Sequence, residues 1–506
     1  MSDKSLKPHI FLIITDQQRY DTIRAAGYDY MITPNIDRMA EGGVIFTQAY
    51  CPGATCISSR AAIFTGMYPH NTGVYSFYKW NHQKSWMEEL RDHGYYLANL
   101  GKMHTSPLYG DYYFHERRIV ENKSARFRQH NIPEDEWGKF LMHHGLKRPN
   151  ERHNEYKDWM KRCNALVWEY EERFHSDAFT GDMAASWLSM HEGKDPLFCV
   201  IGFPGPHEPY DPPSRFHEMY KDKKIPGPVY REGELEKKPP QHKTHQEHFR
   251  ATKNEESKID MGSATDEQII NARRHYFANI TLIDEKIGNI LRVLEEKKML
   301  ENSIVIFTSD HGDNLGDHRL PYKWLMYDSI TRIPLIIRDF RKNPEKNISK
   351  CHSLVSLMDL GPTILDYAGL KTPSYCEGKS LIQGSASAGY EYVFCEDNYQ
   401  IMMRSRDFKM VYFIDQPYGE LYNLENDPGE LENLWDSPAC REIKIKMKCD
   451  LLDWLAKSNY FNARYKTDQM KNYEMRYPGV PNFRNKLHGV YLQEIAYKDC
   501  LNDQKK

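Results

Sequence analysis

After a short polar start, the chain enters a continuous apolar run, His9 to Thr15 (HIFLIIT), that stops at Asp16. A strand with one wet face alternates apolar and polar residues, so an unbroken run of this kind predicts a strand buried on both faces. Val44 to Tyr50, Leu97 to Met103, Leu197 to Phe203, Ser303 to Thr308 and Arg332 to Ile337 read as further strands. Helical segments lie between them. Thr33-Pro34 starts one and Gly42-Gly43 ends it, Ser58 to Phe64 opens another with Gly66 beyond, and Trp86 to His93 is stopped by Gly94. The strongest periodicity is Ile269, Tyr276, Ile280, Ile283, Ile287, Ile290 and Leu294, preceded by a capping-box pair, Thr265 and Gln268. Strands alternating with helices predict an α/β layered core.

Glu232 to Asp260 is polar, charged and without an apolar period, which reads as a surface insertion; His242, His245 and His248 within it read as part of a solvated loop. After about Gly384 the pattern shifts to short strand-like runs, Tyr392 to Cys395 and Lys409 to Phe413, then a helix near Ile443 to Leu455. This divides the chain into a core over residues 1–384 and a smaller C-terminal α+β subdomain over 385–506, whose last part, from about Tyr460, is rich in Tyr and Asn.

Composition narrows the field. Apolar residues are 40% of the 506, enough for a sizeable core, and a formal net charge of −3 gives no footprint for nucleic acid or an anionic membrane. No apolar run is long enough to cross a bilayer, and HIFLIIT is too short for a signal-peptide core. The chain as given therefore reads as cytoplasmic; a trimmed signal would place it in the periplasm or outside the cell. Ten cysteines show no CxxC pair or framework spacing. Sequons at Asn122, Asn279 and Asn347 occur at the frequency of chance and carry no weight.

Candidate chemistry collects where strands end. Asp16 and Gln17 follow HIFLIIT, Asp310 and His311 follow SIVIFTS, His207 follows LFCVIGF within PGPHEPYDPP, and Lys102 and His104 come with the strand-like YLANLGKMH. In open α/β sheets the binding crevice lies beyond the carboxyl ends of the strands. A lone residue at such a place is more often a turn or cap; the joint occurrence points to a site. Two carboxylates, an amide oxygen and an imidazole suit a divalent cation, Ca²⁺ foremost, with Mg²⁺ and Mn²⁺ as alternatives. Cations beside a metal suit a multiply anionic group in a transition state.

The segment CPGATCISSRAAIFTG, Cys51 to Gly66, resembles the signature of type I sulfatases, Cys-x-Pro-Ser-Arg followed by a small and apolar stretch ending in Thr-Gly. Other segments resemble the same family in the same order: TDQQRYD (15–21), TPNIDRMAEGGVIFTQAY (33–50), GKMH (101–104), PHEPYDPP, SDHGDNLGDH with Lys323 downstream, and ELYNLENDPGELENL (420–434). The resemblance implies an alkaline-phosphatase-like fold, a large mixed sheet between helices with a smaller C-terminal sheet. It implies that Cys56 is oxidised to formylglycine by a formylglycine-generating or anaerobic sulfatase-maturing enzyme. The hydrated aldehyde would attack sulfur with one hydroxyl and expel sulfate through the other. Asp16, Gln17, Asp310 and His311 would hold the metal, with the modified Cys56 touching it. Arg60 would position the nucleophile, Lys102 and Lys323 would grip sulfate oxygens, His207 would protonate the leaving alcohol, and His104 would assist regeneration. The dipole of a helix opening at Ser58 would also face the anion.

Three positions depart from the usual pattern. Ser58 stands where proline is common, Gln17 replaces a second aspartate, and His311 replaces an asparagine. The last two resemble the branch with choline sulfatases and phosphonate monoester hydrolases. The leading expectation is a sulfatase acting on a sulfated carbohydrate. Alternatives are a phosphonate monoester or phosphodiester hydrolase and a small aryl or choline sulfatase; GKMH favours a sulfatase. A catalytically silent binding protein is the reading from another class, and retention of every charged group the chemistry needs weighs against it. Cys51 reads as a small buried hydrophobe, with a Cys51–Cys56 disulfide as its alternative.

Overall fold

The computed structural model describes residues 7–75, 84–105, 108–110, 112–121, 128–129, 132–133, 135–148, 159–252, 257–342, 347–382 and 389–466. The sequon at Asn122 and residues 467–506 of the C-terminal tail lie outside them. Met1–Lys448 form one compact unit and Cys449–Lys506 a second, whose described part is the remainder of the helix Arg441–Lys466.

The first strand, His9–Asp16, is buried along its whole length and pairs in parallel with Leu197–Pro206 on one side and Ser303–Ser309 on the other. Its two faces feed two cores. Ile10, Leu12 and Ile14 join a cluster with Ile57, Ala61, Ile63 and Phe64 of the helix Cys56–Thr65 and with Leu360, Ile364 and Leu365 of the helix Leu360–Tyr367. Phe11 and Ile13 join Ile283, Ile287 and Ile290 of the helix Asp266–Glu296. Helices on both faces explain why this strand shows no polar alternation.

Outward from that centre the sheet runs Ser349–Ser356, Val44–Tyr50, Leu335–Asp339, Ser303–Ser309, His9–Asp16, Leu197–Pro206, Tyr96–Gly101, Glu116–Ile119. Along this path only Leu335–Asp339 runs antiparallel to its neighbours, and the short Arg332–Ile333 pairs antiparallel with Val44–Tyr50. The parallel strands therefore end at one edge. A separate antiparallel meander, Val393–Asp397, Gln400–Arg404, Phe408–Phe413 and Gly419–Asn423, sends Val393, Cys395, Met402 and Val411 into the first cluster. The mixed sheet between helices, with a small antiparallel sheet behind it, is the architecture the resemblance implied. The capping box on the long helix is present, with Thr265 Oγ1 accepting from Gln268 N–H and Gln268 Oε1 from Thr265 N–H.

The pattern of apolar residues missed three large-sheet neighbours. Glu116–Ile119 (ERRI) and the first half of Ser349–Ser356 are edge segments with polar, exposed positions. The helix Ser176–Met190 buries small residues, Ser176, Ala178, Thr180, Gly181 and Ala184, so it shows no apolar stripe. Within Glu232 to Asp260, the reading of the histidines as part of a solvated loop is overturned. Pro240–Ala251 is a helix whose inner face is His242, His245 and Phe249. His242 is fully buried with Nε2 2.9 Å from Glu420 Oε1, and His245 Nε2 lies 2.9 Å from the Pro321 carbonyl oxygen. Two of the three histidines are thus fastenings to the core, and the apolar period was hidden because imidazoles supply it.

Burial raises the Glu420 carboxyl, but His242 and Lys238 outweigh it and hold it down at about 2, against 4.5 for an ordinary glutamate. A depressed carboxyl adds stability above its unfolded pKa and loses it as pH falls through its folded one. Glu420→Gln removes this contribution, so the stability gap between wild type and variant is full above pH 4.5 and closes as pH falls towards 2, read by urea unfolding at stepped pH. His242→Ala takes one partner from the buried carboxylate, leaving the Tyr422 hydroxyl and the charge of Lys238, and costs about 1–3 kcal/mol in the same assay at neutral pH.

Candidate active site

The common edge of the parallel strands collects the polar residues that end them. Asp16 closes the first strand and Gln17 follows at φ 69°. Asp310 and His311 follow Ser303–Ser309, Lys102 and His104 follow Tyr96–Gly101, and His207 follows Leu197–Pro206. Two glycines let Lys102 pass beneath the neighbouring strand. A Cβ on Gly202 would sit 1.9 Å from the Lys102 carbonyl oxygen, and one on Gly101 would sit 2.1 Å from that of Gly202. Val44–Tyr50 delivers the fifth component through a loop to Cys56, the first residue of a fully buried helix that ends at a left-handed Gly66. The positive end of that helix faces the cluster.

Ligand atoms of Asp16, Cys56, Asp310 and His311 all lie within 4.8 Å of one another. Lys323 Nζ donates to Cys56 Sγ at 2.9 Å and to Gln17 Oε1 at 2.8 Å. His311 Nε2 is 3.2 Å from Cys56 Sγ, and Lys102 Nζ is 2.5 Å from Asp16 Oδ2. Arg60, with no exposed side chain, bonds Asp310 Oδ2 through Nε at 2.7 Å and the Lys102 carbonyl through an amino group at 3.0 Å. Asp310 Oδ1 accepts the backbone N–H groups of Gln17 and His311. Behind Lys102, Glu121 Oε1 accepts the His104 N–H at 3.0 Å, holding that residue at φ 60°.

The electrostatics follow from burial and this crowd of charges. Burial raises the Asp16 carboxyl, but Lys102, Lys323, His207 and Arg60 overcome it and hold the group well below the usual carboxylate range. Burial, then Asp16, push the Cys56 thiol up to about 12. Burial lowers His104, His207 and His311; Lys102 lowers His104 further, and Lys323 does the same for His207. Glu121 and Glu208 are both pushed up to about 7 by burial.

Asp16, Gln17, Cys56, Arg60, Lys102, Asp310, His311 and Lys323 are joined by direct contacts. His104 and His207 stand near enough for the charges of Lys102, Lys323 and Asp16 to act on both rings. Three buried carboxylates escaped the sequence reading: Glu121, Glu208 and Asp313. The last two lie inside PHEPYDPP and SDHGDNLGDH, so the acidic residues of those motifs were the available signal. Cys51 does not meet Cys56; its Sγ lies 3.9 Å from that of Cys395 in the apolar cluster, as a small buried hydrophobe.

Two carboxylates, an amide carbonyl and an imidazole form an oxygen-rich donor set that fits a hard divalent cation, Ca²⁺ or Mg²⁺. No described helix is long and apolar enough to cross a membrane.

Comparison with known proteins gives the same picture. The family described as Sulfatase matches residues 8–370, and the one described as N-sulphoglucosamine sulphohydrolase, C-terminal, matches residues 316–457. An arylsulfatase of Clostridium perfringens is 30% identical over 464 residues, covering 86% of this chain and 92% of its own. A choline-sulfatase of Rhizobium meliloti is 28% identical, covering 85% and 83%. Among solved structures, the phosphonate monoester hydrolase of Agrobacterium radiobacter superposes with a TM-score of 0.74 at 21% identity, over 89% of this chain and 96% of that one. A protein solved in complex with its substrate D-glucosamine-2-N,6-O-disulfate superposes with a TM-score of 0.66 at 21% identity, over 90% and 98%.

Ser58, the residue that stands for proline, is fully buried and its hydroxyl has no partner among the described residues. A buried hydroxyl without a partner is a net cost. Ser58→Ala therefore stabilises the chain by about 1 kcal/mol in denaturant unfolding. A loss of stability would mean that the hydroxyl is hydrogen-bonded after all.

Proposed function

The chain belongs to the sulfatase family of sulfuric ester hydrolases, and on that footing we propose that it removes sulfate from a sulfated saccharide, with a formylglycine made from Cys56 as the nucleophile. One observation carries the nucleophile: the Cys56 side chain lies within the cluster of Asp16, Asp310 and His311 and accepts from the ammonium of Lys323. Two likenesses support the saccharide: the C-terminal match to N-sulphoglucosamine sulphohydrolase, and the structural neighbour solved with a disulfated glucosamine.

Held by Asp16, Gln17, Asp310 and His311, a divalent cation, Ca²⁺ on this donor set, would supply Lewis-acid stabilisation of the charge that gathers on nucleophile and ester oxygens. A formylglycine at position 56 would supply a hydrated aldehyde that can attack and then regenerate itself. The rest falls to the chain's own residues. Lys102 and Lys323 bind the non-bridging oxygens as point charges. Arg60 ties Asp310 to the Lys102 backbone, so nucleophile, cation ligands and oxygen clamp move as one. His207 is held neutral in part by Lys323; an anionic ester bound between the two lysines offsets that charge and raises the proton affinity of the ring. The ring then protonates the leaving alcohol, while neutral His104 accepts a proton at the nucleophile's side.

A phosphonate monoester hydrolase is the second reading, favoured by Gln17 and His311. Peptide mass spectrometry of native-host protein tests the nucleophile: formylglycine leaves position 56 about 18 Da lighter than cysteine. Intact cysteine in fully active protein would refute the nucleophile assignment. A panel of sulfated saccharides, run beside an aryl sulfate and the matching phosphonate monoester, ranks the substrates. The proposal requires the highest kcat/KM on a sulfated saccharide. His207→Ala should lower kcat about 10²–10⁴-fold on a sugar sulfate, whose alcohol leaves poorly, and far less on 4-nitrophenyl sulfate, which needs no proton to depart. Equal losses on both would remove His207 from the acid role.

A further inference from the structure

We propose that Glu208 and Asp313 are positioning residues that lock the Gln17 amide with its oxygen towards the cation site, and that their two carboxylates are the reason an amide rather than an acid stands at position 17. This rests on the reading of Asp16, Gln17, Asp310 and His311 as cation ligands.

Gln17 is fully buried at the rim of the first strand. Its Nε2 donates to Asp313 Oδ2 at 2.7 Å and to Glu208 Oε2 at 3.0 Å, while its Oε1 accepts from Lys323 Nζ at 2.8 Å. An ammonium can only donate, so the oxygen must face Lys323 and the nitrogen the two carboxyl groups, and these three partners admit one orientation of the amide. Both hydrogens of the nitrogen are used, and the oxygen is left to the side of Lys323 and Cys56. The partners are themselves held. Asp313 Oδ1 accepts the Leu315 N–H at 2.7 Å, and its Oδ2 also accepts the Tyr210 hydroxyl at 2.7 Å. The Gln17 backbone is pinned as firmly, its carbonyl taking the Tyr276 hydroxyl at 2.6 Å and its N–H reaching Asp310 Oδ1 at 3.1 Å.

A carboxylate at position 17 would turn one oxygen towards two others. On charge count alone, one more anionic ligand tightens a Ca²⁺ site. The network predicts the reverse, because the new oxygen meets two acidic side chains, Glu208 and Asp313, at hydrogen-bond distance where the amide had offered them two hydrogens. Converting Asp313 to an amide at the same time restores one of the two pairings with its polarity inverted and returns the number of acidic side chains in the cluster to that of the wild type. The asparagine nitrogen donates to the new glutamate, its oxygen keeps the Leu315 N–H, and the Tyr210 hydroxyl turns to accept.

The test is calorimetric titration of the full chain with Ca²⁺, with thermal unfolding as the check on folding. Outer-sphere partners of metal ligands are commonly worth about 10–100-fold in affinity. Gln17→Glu should therefore bind Ca²⁺ about 10–100-fold more weakly than wild type, and Gln17→Glu with Asp313→Asn should return to within about tenfold. Equal or tighter binding by Gln17→Glu overturns the proposal, as does a double variant no better than the single one. Should Gln17→Glu not fold, the double variant decides alone: the proposal requires it to fold and to bind within about tenfold of wild type. A wild-type chain that binds neither Ca²⁺ nor Mg²⁺ nor Mn²⁺ overturns the cation reading itself. Wild-type binding left unchanged in Gln17→Glu overturns only the role of Glu208 and Asp313.

Discussion

Asp16 and Asp310 sit at the ends of adjacent parallel strands with no exposure to water, and cationic side chains and backbone N–H groups converge on them. An isolated carboxylate in such a place would take up a proton. Here Lys102 contacts Asp16 directly, Arg60 bridges both, and the backbone N–H groups of Gln17 and His311 converge on Asp310. Each of these partners needs its own support. Lys102 needs the glycine pair that lets it pass under the next strand. Arg60 needs the buried helix that starts at Cys56. The same neutralisation leaves cationic side chains and polar hydrogens facing one small space, which is what an anionic ester group requires.

The C-terminal small sheet is part of that support. Glu396 of Val393–Asp397 pairs with Gly53 in the loop before Cys56, its N–H reaching the Pro52 carbonyl and its own carbonyl taking the Ala54 N–H. Gln400, at the start of the next strand, donates to the carbonyl of Trp324, whose N–H reaches Ala54. Lys323 and Cys56, 2.9 Å apart, therefore hang from the same two strands. Cutting off the small sheet would loosen Cys56 and Lys323 together, although neither residue belongs to it.

Much of this was readable from the chain because buried parallel strands advertise themselves. HIFLIIT, SIVIFTS and LFCVIGF are apolar on both faces, and the polar residue that ends each one is placed by the strand at the common rim. What stayed hidden has physical reasons. Glu116–Ile119 is an edge strand and shows polar residues. Ser176–Met190 packs through small residues, with Gly181 against the stem of Lys286, so no hydrophobic stripe betrays it. The histidines of Pro240–Ala251 look like surface in a sequence because imidazole is counted polar, yet His242 packs as core. Glu208, Asp313 and Glu121 act through side chains of other motifs, and no spacing rule reports a contact between residues almost 300 positions apart, as Gln17 and Asp313 are.

The departure at Ser58 can be located in the same terms. A Cβ on Gly53 would stand 2.5 Å from Ser58 Oγ and 2.7 Å from Ser59 N, so the loop is shaped by the close approach of Gly53 to the first turn of the helix. That turn is one where proline is sterically acceptable, because its N–H has no partner within the helix. Neither the ion pairs of Arg60 nor the contacts of Cys56 pass through the side chain at position 58. The finished site is therefore indifferent to whether serine or proline stands there. Cys56 is only 4% exposed once the fold is complete, so an enzyme converting it, as the proposed mechanism requires, would have to meet the segment before the helix is buried. On that proposal the consequence of Ser58 would lie in how the unfolded segment is recognised, not in the geometry of the site it leaves behind.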